Sequence, residues 1–251
     1  MAERPRPRIL ITRPEPGASF TAEALYQRGL GPMKVPLTKV GAVPVADSAM
    51  DSLVEASLIV ISSANAMRHA PPGLVETIAE IPALAVGDAT AAEAVRKGMT
   101  RVESVDGDAD ALVKQSLVRC SKGALVGYLC GRLRRDTVEV GLAKGGLTVN
   151  TLETYNTHKV SYSTDKLSRI FTAFPFDGVA VFSGVSAAIV AEQIATSDLR
   201  HHYENKPLFV ISQRASEHVA TLQSGPILVS KAMNAESLHT LIESYFFSSQ
   251  P

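Results

Sequence analysis

Short apolar runs alternate with longer mixed segments along almost the whole chain. Ile9-Leu10-Ile11, Leu58-Ile59-Val60-Ile61, Ala83-Leu84-Ala85-Val86, Val179-Ala180-Val181-Phe182 and Leu208-Phe209-Val210-Ile211 are apolar throughout. Continuous runs of that length suit strands covered on both faces, as in a parallel sheet. Ala124–Leu129 and Ile227–Ser230 read the same way, and Arg101–Val105 is a weaker strand. The mixed segments predict helices over Ser19–Arg28, from Ala64 onward, and over Ala91–Lys97, Asp110–Val118 and Thr137–Lys144. They continue with Lys166–Phe171, Ala187–Ile194, Ser216–Leu222 and Glu236–Phe247, and a further helix ends at Val54–Ser57. Gly29, Gly98 and Gly145 supply stops. Strands alternating with helices mean parallel sheets with helices on both faces.

Two stretches depart from this rhythm. Val149–Val160 is rich in β-branched residues and lacks Gly and Pro, so it predicts one long extended segment. Met33–Pro44 has a similar character. We read them as two crossings between two α/β lobes, lying side by side as a two-stranded strap. A substrate held between the lobes would sit over that strap, within reach of Tyr155. About ten strand candidates also divide better into two sheets of about five than into one. A weak internal repeat points the same way. Leu58–Ala66 resembles Val179–Ala187, and Leu84–Thr90 resembles Phe209–Ala215. The expected organisation is a discontinuous first α/β lobe, residues 1–36 and 161–251. The second lobe is 37–160, with ladder strands at 37–44 and 152–160.

Charge and composition narrow the function. Lys plus Arg equals Asp plus Glu, at 25 each, which gives no reason to expect nucleic acid or a membrane surface as partner. The two cysteines, Cys120 and Cys130, form no CxxC, so neither a disulfide framework nor a zinc site is expected. The adjacent His201-His202 reads as surface loop. No apolar run approaches the length of a membrane span, and Met1–Arg8 lacks an apolar signal core. The expectation is a reduced, cytoplasmic protein.

In open parallel sheets, ligands bind beyond the carboxyl ends of the strands. The loops at those ends are uniform here. They are Thr12-Arg13-Pro14, Ser62-Ser63-Ala64-Asn65, Gly87-Asp88-Ala89-Thr90, Gly131–Arg135, Ser183–Ser186 and Ser212-Gln213-Arg214. Each joins small or hydroxyl residues to a helix start, which favours anions. Taken singly, such a Ser or Thr is an ordinary helix cap. Arg132, Arg134 and Arg135 suit a solvated helix face equally well, and Tyr155 suits a half-buried strand aromatic. GxGxxG, Walker A and GxSxG are absent, and no His stands beside a nucleophile. An enzyme of this composition works by binding, shape and hydroxyl groups, without metal or nucleotide.

Taken in order, Ile-Thr-Arg-Pro (11–14), Ser-Ser-Ala-Asn-Ala (62–66), Val-Gly-Asp-Ala-Thr-Ala (86–91), Gly-Arg-Leu-Arg-Arg-Asp (131–136) and Glu-Thr-Tyr-Asn-Thr (153–157) resemble uroporphyrinogen-III synthase. The resemblance implies two flavodoxin-like lobes joined by a two-stranded β-ladder. It implies a cyclising lyase of haem biosynthesis, acting as a cytoplasmic monomer without a cofactor. Linear hydroxymethylbilane, a polycarboxylate, would lose water, invert ring D and close to uroporphyrinogen III. By position, Tyr155 matches the family tyrosine thought to assist departure of the ring A hydroxyl. Thr90, Ser62, Ser63, Ser183, Arg13 and Arg132 match or adjoin substrate-contacting loops. Ser212-Gln213-Arg214-Ala215 lacks the Thr-Thr of some members, and Gly184-Val185 replaces a proline-containing turn. The competing reading is a two-lobed small-anion binding or sensor protein without turnover.

Overall fold

The structure is a computed structural model, and it describes residues 5–222 and 225–248. The first residues of the basic start, Met1–Arg4, and the end of the tail, Gln250-Pro251 with Ser249, lie outside the described residues. In chain order the elements begin β1 (Arg8–Ile11), α1 (Gly17–Gln27), β2 (Gly31–Lys34), β3 (Thr38–Ala42) and α2 (Asp47–Asp51). Then come β4 (Leu58–Ile61), α3 (Ala64–Arg68), α4 (Leu74–Ile78), β5 (Ala83–Val86), α5 (Asp88–Lys97) and β6 (Val102–Val105). They continue through α6 (Ala109–Arg119), β7 (Leu125–Gly131), α7 (Thr137–Lys144), β8 (Thr148–Lys159), α8 (Thr164–Ala173) and β9 (Gly178–Val181). The chain closes with α9 (Gly184–Ala195), α10 (Ser197–Tyr203), β10 (Leu208–Val210), α11 (Gln213–Glu217), β11 (Ile227–Val229) and α12 (Ala235–Phe247). None of the described helices is long and apolar enough to cross a membrane.

Two compact units result: Met1–Lys39 with His158–Pro251, and Val40–Thr157. The first holds a five-stranded parallel sheet in the order β11-β10-β9-β1-β2. Counted along its own chain, that is the flavodoxin order 2-1-3-4-5. The second holds a six-stranded sheet, β3-β8-β7-β4-β5-β6. Without the edge strand β3, its order is 3-2-1-4-5 when the strands are counted outward from β4, the other common doubly wound arrangement. The chain passes between the units inside β3 and β8. Val43 N–H donates to the Thr154 carbonyl at 2.9 Å and Val160 N–H to the Leu37 carbonyl at 2.9 Å. One strand therefore ascends as the other descends, forming an antiparallel ladder.

The apolar runs behave as their patterning requires. Leu58–Ile61 and Gly178–Val181 are buried along their whole length. Each sheet has a core on both faces. In the second unit Leu53, Ile59, Ile61 and Leu129 lie on one side and Val60, Leu84, Val126 and Leu142 on the other. Helix ends follow capping chemistry. Asp108, Ser163 and Asn234 each accept backbone N–H bonds at the starts of α6, α8 and α12.

Three expectations need correction. His201 and His202 do not lie in a loop; they end α10. The His202 ring meets Phe171 edge-on at 5.5 Å, so the pair caps an aromatic cluster. The helix was hidden because Arg200-His201-His202 carries no apolar period. The helix expected at Val54–Ser57 ends earlier, at Asp51, and the segment expected as helix over Ser216–Leu222 is helical only to Glu217. Both regions continue as hydrogen-bonded turns, such as Val54 N–H to Asp51 O at 3.1 Å and Leu222 N–H to Val219 O at 3.1 Å.

Candidate functional site

In the second unit the strand order reverses between β4 and β7. The carboxyl ends of these neighbours are where a doubly wound sheet leaves a crevice. Ser62 and Ser63 follow β4, and Gly131 ends β7. The Ser63 hydroxyl caps α3, accepting from Asn65 N–H at 3.2 Å. Tyr128 donates its hydroxyl proton to Ser62 Oγ at 3.2 Å. Tyr155 stands on the neighbouring β8, and its phenol lies close enough to the Ser63 hydroxyl to be influenced by it. Its ring lies against Gly131 and 6.3 Å from the His69 ring. Ser62, Ser63 and Tyr155 are therefore brought together.

The electrostatics of this corner favour neutral hydrogen-bond donors. Burial raises the Tyr155 phenol above its ordinary value, against the opposing influence of the Ser63 hydroxyl. Burial pushes Tyr128 up to about 12 and the Cys130 thiol beside it up to about 12. Burial, with Arg68 and Lys97 nearby, lowers His69, so its imidazole is uncharged at neutral pH. The corner thus presents protonated phenols and hydroxyls. Such groups can donate to an oxygen or share a proton, but they are not activated nucleophiles. Among the described residues no group of His, Cys, Asp and Glu is arranged to hold a metal ion.

Thr90 lies in the first turn of α5, which packs on α3, and it is buried. It is not the helix cap; that position is Gly87, at φ 71°, a left-handed conformation that glycine tolerates. Asp88 in the same turn makes the start of α5 a poor anion site. Arg132 is tied to the corner by its backbone, donating N–H to the Tyr155 carbonyl at 2.8 Å. Its exposed side chain pairs with Glu153 at 3.0 Å.

In the first unit the order reverses between β1 and β9. Arg13 follows β1 and Ser183 follows β9. The Arg13 guanidinium lies 4.3 Å over the Phe182 ring and donates to Thr21 Oγ1 at 3.2 Å. Ser183 caps α9, accepting from Ser186 N–H at 3.1 Å, and its hydroxyl lies 3.1 Å from that of Ser186. These two residues share the first unit's switch point.

Sequence reasoning missed Tyr128, His69 and the Glu153–Arg134 pair. Tyr128 sat inside an apolar run, where an aromatic reads as core. Its position near the carboxyl end of β7 was the available signal.

The family model described as uroporphyrinogen-III synthase HemD matches residues 19–240. The chain belongs to the uroporphyrinogen-III synthase family. The match spans Ser62, Ser63, Thr90, Arg132, Tyr155 and Ser183, while Arg13 precedes it. The chain is a cyclising lyase of haem biosynthesis acting on a tetrapyrrole, which sets aside the binding protein without turnover. No curated protein sequence matches it. Among solved structures it is similar to the uroporphyrinogen-III synthetase of Helicobacter pylori, at 13% identity and a TM-score of 0.62. That match covers 96% of this chain and 100% of the other. It is also similar to a mutant uroporphyrinogen III synthase from the extremely thermophilic bacterium Thermus thermophilus, at 15% identity and a TM-score of 0.61, covering 96% and 99%. At those identities the likeness shows that this synthase shares their fold.

Proposed function

We propose that Tyr155 assists the dehydration with which hydroxymethylbilane enters the reaction. Its half-buried phenol, laid against Gly131 at the strand end and kept protonated by burial, carries this reading. The phenol donates to the departing hydroxyl, which leaves as water. An azafulvene cation remains. Ring D attacks through its substituted carbon to give a spiro intermediate. Reopening and closure at its free α-carbon invert the ring, and the proton lost from that carbon as the pyrrole re-forms restores the phenol. Loss of hydroxide from a pyrrolic carbinol needs no strong acid, so a neutral phenol suffices. The larger task is to hold the linear chain so that the substituted carbon reacts. Orientation of that kind supplies several kcal/mol without a reactive side chain.

Ser62, Ser63, Thr90 and Arg132 are the groups we assign to substrate contact in the second unit. Arg13 and Ser183 carry the same assignment at the first unit's switch point. Arg132 already pairs with Glu153, so a substrate carboxylate there would have to compete for it. We read the enzyme as a cytoplasmic monomer that needs no cofactor.

The test is Tyr155→Phe with enzymatically generated hydroxymethylbilane. Turnover should drop about a hundredfold, the range for a positioned proton donor. The residual product should still be the type III isomer, because orientation survives. Full turnover would remove Tyr155 from the mechanism. Type I alone, the spontaneous product, would show that the variant had lost its grip on the chain.

A further inference from the structure

Tyr155 lies against Gly131 on the α3 side of the sheet because β8 breaks register one residue earlier. From Leu125↔Thr148 to Cys130↔Glu153 the pairing of β7 with β8 is regular. Gly131 then pairs with Tyr155, so Thr154 is an extra residue. Leu152 belongs to the core on the α3 side, and Glu153 points the other way, to Arg134, which also holds Glu139 of α7. Strict alternation would return Thr154 to the α3 side and send Tyr155 after Glu153. Thr154 does face α3, donating its hydroxyl to the Ala66 carbonyl at 2.8 Å. Tyr155 nevertheless packs on that same side. A one-residue slip flips each later side chain to the opposite face, and bulges are a known means of re-aiming one.

The irregularity is fastened at both ends. Thr154 is fully buried, and its hydroxyl is spent on Ala66. Arg134 donates to the Gly131 carbonyl at 3.1 Å and to Glu153 at 2.7 Å, gripping both strands beside the slip. We infer that Thr154 and Arg134 are positioning residues: they hold the bulge that lays the Tyr155 phenol across Gly131 on the α3 side. The kinetic part of this inference rests on the proposed role of Tyr155.

The experiment uses Thr154→Val, which keeps shape and branching, and Arg134→Lys, which keeps charge but cannot grip both partners. Each is made alone and with Tyr155→Phe. Turnover and KM are measured, and the Tyr155 resonance is followed by NMR with tyrosine labelled at Cζ, assigned by its loss in Tyr155→Phe. Each single variant should lower kcat about tenfold or more, the scale of a misplaced group, with KM little changed. Neither should lower kcat further once Tyr155→Phe is present. The Tyr155 resonance should shift in both. An unmoved resonance, or losses that multiply with Tyr155→Phe, would overturn the inference. If Tyr155→Phe alone proves fully active, the catalytic reading fails, and the resonance by itself decides whether Thr154 and Arg134 aim the ring.

Discussion

Gly131 and Tyr155 compete for one place. A Cβ on Gly131 would lie 2.6 Å from Cζ and 2.9 Å from the hydroxyl of Tyr155. The strand end is bare so that the ring can lie across it. Gly131→Ala must therefore push the phenol away. On the proposed role of the phenol, displacing it should lower turnover about a hundredfold. Stability should fall by about 1–3 kcal/mol, the usual cost of overpacking. Steady-state kinetics and urea unfolding of the same variant check both. Near-normal kcat would mean that the ring's position does not matter.

Thr90 is buried in the first turn of α5, a helix that packs on α3. Thr90→Val preserves volume and branching and removes only the hydroxyl. If that hydroxyl contacts a substrate carboxylate, the loss is about 1.5–3 kcal/mol, the range for bonds to charged groups. KM should then rise about tenfold or more while the folded stability changes little. Unchanged kinetics would leave Thr90 as a packing residue of α5.

Much of the architecture was legible because the buried strands announce themselves. Leu58–Ile61 and Ala83–Val86 are short, flanked apolar runs that suit covered strands, and the β-branched run before Lys159 suits an extended segment. Ser62, Ser63 and Tyr155 were also legible, since strand ends and the long β8 locate them. Their mutual geometry was not. A threonine suits either face of a strand, so nothing in Glu153-Thr154-Tyr155 betrays a skipped register. That depends on the Ala66 carbonyl and Arg134, which arrive from elsewhere in the chain. Arg13 and Ser183 were located by their strand ends too, whereas the partners of their side chains, Phe182, Thr21 and Ser186, could not be read from the loops.

The first unit's aromatic cluster supplies a stability test. Tyr203 is buried among Phe171 and Phe176, with ring centroids 5.9 and 5.3 Å away. Its hydroxyl bonds Gln193 Oε1, which is buried too. Burial keeps the phenol protonated far above its ordinary range. Tyr203→Phe strands the amide and should cost about 1–3 kcal/mol. Adding Gln193→Leu should recover much of that loss, because removing both partners can be nearly neutral. Chemical unfolding of the single and double variants measures the difference, and additive losses would count against the pairing.

His239 makes the first unit sensitive to acid. It is buried on α12, with Nε2 3.3 Å from Thr21 Oγ1 and Nδ1 without a hydrogen-bond partner. Phe182 lies edge-on at 6.1 Å, and Arg28 and Arg13 add positive charge nearby, partly countered by Glu236. Burial first, then the two arginines, lower its pKa to about 4 from 6.5. The unfolded chain therefore binds a proton that the folded chain refuses. Above the unfolded value both states are neutral and His239 contributes nothing. As pH falls through the window from 6.5 to about 4, stability is lost, reaching on the order of 3 kcal/mol below it. His239→Gln removes the titration. Urea unfolding at pH 7 and pH 4.5 should show a smaller acid loss for the variant than for the parent, by about 2–3 kcal/mol. Equal losses would mean that the acid sensitivity belongs to the carboxylates alone.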